Sequence, residues 1–267
     1  MNLLAHAPIA RAAAWIAAVA LFTLVFGLPL AMLALAAVAG QWNGALPDTL
    51  TLRHLAALGG PGQWPALWHS VVTAALASAI AVLLGGAGAL AGRRLPGPVR
   101  RMLDALYFLP VALPSASIGL ALLIAFSRSP LLLNGTVALV VIAHVVLVTA
   151  YAYANTNAGL ETLPAGLEEM ADSLGARPGL VLRGITLPLL VPHLLAALAL
   201  GFALSMGELG ATIMLYPPQW VTAPVRVFAL TDRGNIFSGA ALGVGLLGCT
   251  FAVLLLLNPA TGRPRRT

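Results

Sequence analysis

The sequence predicts an all-α membrane protein, a polytopic bundle of about six transmembrane helices with both termini cytoplasmic. Three observations carry that reading. Of 267 residues, 60% are hydrophobic and only 8% are charged, whereas soluble domains hold roughly 45–50% apolar and about 25% charged residues. The mean hydropathy is +0.96. Apolar runs of about the 20 residues a helix needs to cross a bilayer recur along nearly the whole chain. One membrane domain spanning 1–267 is therefore expected.

Taken in order, the first run extends from about Ala12 to Ala39, is uncharged after Arg11, and is too long for a signal-peptide core. The second covers about Leu67 to Ala91 and the third about Ala105 to Phe126. The fourth covers about Thr136 to Ala154, the fifth begins after Pro188 and reaches Met206, and the sixth covers about Phe237 to Leu257. Between them, 41–65 is rich in Gly and Pro, with Trp42, Trp64 and Trp68 near an expected interface. Tyr216-Pro217-Pro218-Gln219-Trp220 reads as another interfacial loop.

Charge sets the orientation. All fourteen basic residues are Arg. With the amino terminus inside, the inner segments hold Arg11, Arg93, Arg94, Arg100, Arg101, Arg177, Arg183, Arg263, Arg265 and Arg266, and the outer segments hold only Arg53, Arg128, Arg226 and Arg233. That asymmetry puts both termini, and the segment between helices four and five, in the cytoplasm. The absence of Lys excludes a P-loop ATPase, whose Lys must reach the phosphates, and Schiff-base chemistry. With Cys249 alone, no internal disulfide and no Cys-based zinc site can form. The Arg excess lacks the basic stripes with interleaved aromatics of a nucleic-acid binder.

One inner segment stands apart. Four of the eight acids, Glu161, Glu168, Glu169 and Asp172, fall within twelve residues. Pro164 suits a first helical turn. Leu167, Met170, Ala171 and Leu174 follow at i, i+3, i+4 and i+7, one apolar stripe. Glu168, Glu169 and Asp172 lie off that stripe, near the positive end of the helix dipole. Gly175 suits a left-handed cap, Pro178 can start a second short helix, and Pro188 can mark the turn into the membrane. The stripe is too small to make a core, so a protein surface has to cover it.

The spacing Glu169-Met170-Ala171, Gly175, Ile185, Leu187-Pro188 resembles the cytoplasmic "EAA" loop of ABC-importer permeases, with Met170 in place of the usual Ala. Helices two to six resemble the six-helix permeases of the molybdate, sulfate, iron, thiamine and phosphonate group. Within them Ser205-Met206-Gly207-Glu208-Leu209-Gly210-Ala211-Thr212 is similar to a Gly-Glu-Phe-Gly-Ala-Thr segment common there, with Leu209 for Phe. The continuation Ile213 to Pro218 most resembles permeases of 2-aminoethylphosphonate importers. The resemblance implies an inner-membrane, non-catalytic subunit whose loop 163–188 docks into a separate cytoplasmic ATPase, which binds the ATP and Mg. It implies that Glu168, Glu169, Met170, Ala171, Gly175, Ala176 and Arg177 form the coupling helix and its turn, and that Ile185 and Pro188 brace it against the bundle. It also implies a periplasmic substrate-binding protein, a second copy or a similar permease, and a small phosphonate or oxyanion cargo, best matched by 2-aminoethylphosphonate. A secondary transporter or channel acting without an ATPase is the alternative; it would call for paired intramembrane charges or inverted repeats, and the sequence offers neither.

Other residues admit two readings. Glu208, an acid near the end of a membrane helix, either shapes the pathway or gate, or caps the next segment or pairs with Arg226 or Arg233. Pro110, Pro114, Ser115 and Ser117 interrupt helix three, as a pathway-lining break or as a kink in a packed bundle; Pro114, Ser115, Ser205 and Glu208 are the pathway or gate candidates. His144 and His193 read as packing residues bonded to a carbonyl or hydroxyl, since no acid is evident at similar depth for a proton relay. The Gly88/Gly92 and Gly239/Gly243 pairs point to close helix packing. No paired carboxylates, metal-ligand spacing or serine–histidine set supports catalysis.

Overall fold

A computed structural model describes residues 8–164 and 166–257, with side chains from residue 11. Arg263, Arg265 and Arg266, three of the inner-side arginines, lie outside the described residues. In chain order the elements are α1 (Arg11–Ala37), β1 (Ala39–Gln41), β2 (Thr49–Leu50), α2 (Arg53–Ala56), α3 (Trp64–Gly92), α4 (Gly97–Phe108), α5 (Ser115–Ala125), α6 (Val137–Glu161), α7 (Leu167–Ser173), α8 (Pro178–Met206), α9 (Thr212–Leu215), α10 (Ala223–Asp232) and α11 (Ile236–Leu257). Among the described residues five helices (α1, α3, α6, α8 and α11) are long and apolar enough to cross a bilayer.

The third predicted span is not one helix. Residues 97–112 and 115–125 meet at an angle of 104°. The prolines predicted to interrupt helix three do so: Pro110 sits in a 3-10 turn (Leu109–Ala112), and Pro114 has extended backbone ahead of α5. A kink in a continuous span therefore understates the break. The fifth helix departs from expectation in the other direction. The second short helix does not end before the membrane; from Pro178 it runs through a π turn at Leu182–Thr186 into a helix ending at Met206. Pro188 marks no turn, because it stands just after the π segment, which re-forms the helical register around the missing N–H.

The described residues fall into two compact units. The larger, 64–226 with 246–257, is built on α3, α6 and α8. Small residues let these backbones approach. A Cβ on Gly85 of α3 would lie 2.6 Å from the Tyr153 backbone nitrogen and 2.9 Å from the Ala152 Cβ of α6, so Gly85 is fixed by space. Of the predicted pair, Gly88 faces the Tyr107 ring of α4, and Gly92 faces Leu103 of α4 and the Tyr153 hydroxyl of α6. Tyr107 stacks on Tyr153 with ring centroids 4.2 Å apart, and the Tyr153 hydroxyl donates to Asp104. Ala81, Val148, Ala152 and Ala197 form one apolar core, and Leu139, Val140, Ala143, Ala211 and Leu215 another.

The segment 216–220, read as an interfacial loop, is tied to α3: Trp220 stacks on His69 with centroids 4.1 Å apart and donates from Nε1 to Thr73 Oγ1 at 3.0 Å. The Ser70 hydroxyl accepts the Ala223 N–H at 2.8 Å, so α10 starts against the same helix. The smaller unit, 8–63 with 227–245, holds α1, the β1–β2 hairpin and most of the turn from α10 into α11. Ala37, Ala240 and Ala241 form its core. Gly239 approaches Thr231 and Gly243 approaches Leu33, as the small-residue pair predicts. Along α1, Trp15, Ile16, Phe22 and Leu24 all face outward, which suits a helix solvated by lipid.

Candidate functional site

Two places in the larger unit gather the residues singled out by sequence. The first is the segment 163–188. Its helix is shorter than predicted: α7 begins at Leu167, with Gly166 left-handed at its N-cap (φ 82°), and Pro164 lies before the helix. Its end is as predicted. Gly175 is left-handed (φ 80°) and open to solvent, Gly175 N–H bonds the Asp172 carbonyl at 2.9 Å, and Ala176 N–H bonds the Ala171 carbonyl at 3.1 Å. Two end carbonyls of α7 are thereby satisfied. Arg177 is the extended N-cap of α8, with Pro178 at its first position.

The predicted apolar stripe divides. Leu167 and Ala171 turn inward and are half-buried, whereas Met170 is 63% and Leu174 84% exposed. Leu180, one turn into α8, is exposed as well. Glu169, Asp172 and Arg177, their neighbours in sequence, are exposed too. Ile185 is half-buried and Pro188 exposed.

Glu168 behaves unlike its neighbour. Its Oε2 pairs with Arg93 Nη2 at 2.7 Å, at the end of α3, and its Oε1 accepts the hydroxyl of Thr186, which is buried in the π turn of α8. The Thr186 hydroxyl foremost, then the Arg93 guanidinium, hold the Glu168 carboxyl below the usual carboxylate range. Among the described residues this is the one Arg–carboxylate pair. A cavity of about 200 Å³ lies beneath, walled by Arg93, Leu160, Leu163, Pro164, Gly166, Leu167, Glu168, Glu169, Ile185 and Leu189. Neither Arg93 nor Thr186 follows from the loop pattern alone. The signal for Arg93 was its place in the inner-side cluster of four arginines.

The second place is a cavity of about 450 Å³ beside α6, lined by Pro110, Leu113, Ser115, His144, Tyr151, Ser205 and Glu208 with apolar neighbours. Three of the four pathway candidates (Ser115, Ser205 and Glu208) meet there; Pro114 does not line it. Gly210 packs so closely on Ser115 that a Cβ would clash with its hydroxyl. Glu208 is 9% exposed. Its Oε1 accepts Ala211 N–H at 2.9 Å, and its Oε2 accepts Thr212 N–H at 3.0 Å and the Thr212 hydroxyl at 2.6 Å. Glu208 thus caps α9, and it does not pair with Arg226 or Arg233.

His144 is 2% exposed, and its ring nitrogens meet Ser205 Oγ at 2.6 Å and Thr212 Oγ1 at 2.8 Å. That is the hydroxyl bonding expected of it. The expectation that no acid lies at similar depth is overturned: Glu208 Oε2 is 3.9 Å from His144 Nε2. The two residues are far apart in sequence, and only the packing of α6 against the end of α8 and α9 brings them together. His193 lies over Gly159 and 3.4 Å from Thr162 Oγ1, a packing role. Among the described residues no group of three or more His, Cys, Asp or Glu could hold a metal ion.

A family model described as binding-protein-dependent transport system inner membrane component matches residues 85–260. The putative 2-aminoethylphosphonate transport system permease protein PhnV of Salmonella paratyphi A is 45% identical over 256 residues, 96% of this chain and 97% of that one. The molybdenum transport system permease protein ModB of Mycobacterium bovis is 35% identical, covering 76% of this chain and 81% of its own. In the crystal structure of a bacterial alginate ABC transporter in complex with an alginate pentasaccharide-bound periplasmic protein, one chain matches with a TM-score of 0.75 at 17% identity. The match covers 96% of this chain and 95% of that one, and at this identity the likeness is one of fold.

Proposed function

The chain belongs to the family of binding-protein-dependent transport system inner membrane components, and on that premise we propose that loop 163–188 couples this permease to separate cytoplasmic ATP-binding subunits. The single observation that carries the reading is the divided stripe: Met170, Leu174 and Leu180 stand exposed on a helical wedge, interleaved in sequence with the exposed charges of Glu169, Asp172 and Arg177. Apolar side chains rimmed by charge are the anatomy of a protein contact. On this reading Glu169, Met170, Ala171, Gly175, Ala176 and Arg177 form the wedge, and Ile185 and Pro188 belong to the helix that receives its motion. ATP and Mg bind the partner, whose closure rocks the bundle between inward and outward access. Ten inner-side against four outer-side arginines support cytoplasmic placement of the wedge and of both termini.

The further partners are a periplasmic substrate-binding protein and a second permease, identical or similar, so that 1–267 acts as one permease domain in a larger assembly. The cargo is a small phosphonate or oxyanion, with 2-aminoethylphosphonate favoured by the relative at 45% identity over 96% of the chain. The cavity lined by Ser115, Ser205 and Glu208 belongs to the pathway or its gate. Co-purification tests the coupling. Glu169→Lys and Gly175→Pro leave the protein in the membrane but reduce ATPase association and uptake; an unchanged complex contradicts the docking role.

A further inference from the structure

The two adjacent acids of α7 differ in what they touch. Glu169 is exposed, and no side-chain bond to its carboxylate exists among the described residues. Glu168 points inward and grips two elements at once: the Arg93 guanidinium at the end of α3 and the Thr186 hydroxyl at the start of α8. Arg93 and Glu168 are 75 residues apart, and Thr186 lies 18 residues beyond Glu168. The bond therefore joins three elements.

Stability is a poor explanation for this arrangement. Both partners of the ion pair keep about a third of their side-chain surface in solvent, 27% and 32%, and such pairs contribute little to folding. Geometry offers a better one. Thr186 sits in the π turn of α8, where the helical register is loosened, and π turns mark places where a helix is set apart for function. α7 itself is seven residues long, bounded by left-handed Gly166 and Gly175. Without a cross-link it could swing on these two glycines and leave α3 and α8 behind.

We propose that Glu168 is a positioning residue of the coupling wedge, a strut through Arg93 and Thr186 that makes a displacement of α7 move α3 and α8 together. The inference rests on the docking role of loop 163–188. It assigns the outward contact to the apolar face with Glu169 and the inward transmission to Glu168. A push on the wedge then travels through a hydrogen-bonded cross-link into two membrane helices, where otherwise it would be absorbed by the flanking glycine hinges.

The test uses the whole importer, permease with its ATPase subunits and binding protein, in proteoliposomes. It reads complex formation, ATP hydrolysis and 2-aminoethylphosphonate imported per ATP. Glu168→Gln keeps the complex and its hydrolysis but lowers cargo per ATP about fivefold or more. The exchange Arg93→Glu with Glu168→Arg restores part of that ratio. Glu169→Gln does not share the pattern, because it acts on association. Should Glu168→Gln fail to accumulate, Thr186→Val, which removes one donor, must show the same fall in ratio. A wild-type ratio in these variants overturns the proposal. So does loss of the complex on Glu168→Gln, which would make Glu168 a docking contact. Leu174→Asp separates the two ideas: if it leaves the complex intact, the docking reading itself fails, whatever Glu168 does.

Discussion

Glu168 and Glu208 are both carboxylates held by several donors, yet they are held in opposite ways. Glu208 closes on its own neighbourhood: three of its bonds go to Ala211 and Thr212, and His144 completes a nearly buried cluster. Glu168 stands at the edge of solvent and reaches outward to two other elements. The first arrangement fixes a local shape against a cavity wall. The second fixes the relation between a surface helix and the bundle. The difference shows that the cost of losing a carboxylate depends less on its charge than on whether its partners can find water afterwards.

The widest gap between the two is expected on deletion. Glu208→Ala strands the N–H groups of Ala211 and Thr212 and leaves the Thr212 hydroxyl to His144, and lowers stability in detergent by about 3 kcal/mol. Glu168→Ala leaves the Arg93 guanidinium partly in water and strands one buried hydroxyl, that of Thr186, and costs about 1 kcal/mol. Thermal unfolding of both variants checks this, and equal shifts would break the contrast.

Next in size is packing. Gly85→Val places side-chain atoms against the Tyr153 backbone and costs about 1–3 kcal/mol by overpacking, read in the same assay. It separates the close-packed core from the loop, where Gly179→Ala, with open space around it, is nearly neutral.

A smaller effect sharpens the comparison through pH. The Glu168 carboxyl is held below its ordinary value of 4.5. The pair's contribution is therefore complete above that value and is lost only as pH falls through the lower folded value. Lowering pH from about 8 to about 5 leaves cargo per ATP in the wild type unchanged on account of this pair. A fall of the ratio within that range that Glu168→Gln abolishes would contradict the assignment.

These two places also differ in how far they could be read from sequence. The loop was legible because its signals are local: the acids within one turn, Gly175 where a left-handed cap was needed, and Pro178 opening the next helix. Five membrane helices were legible from apolar length alone. The sharp bend after α4 was legible only as a proline interruption, since its angle depends on what α5 packs against. The continuation of α8 through Pro188 was missed because a π turn carries no compositional mark. The His144–Glu208 approach joins residues 64 positions apart, and no periodicity reports such a contact. The inward turn of Glu168, against the outward Glu169, was likewise hidden, because both lie off the apolar stripe and only tertiary partners distinguish them.

If a separate ATPase grips the exposed wedge on the cytoplasmic side, thiol labelling of Leu174→Cys in a Cys249→Ser background, with and without the ATPase subunits, shows it directly. Labelling is expected from the cytoplasmic face only, with protection when the ATPase is bound. Labelling from the periplasmic face, or labelling unchanged by the bound ATPase, would contradict it.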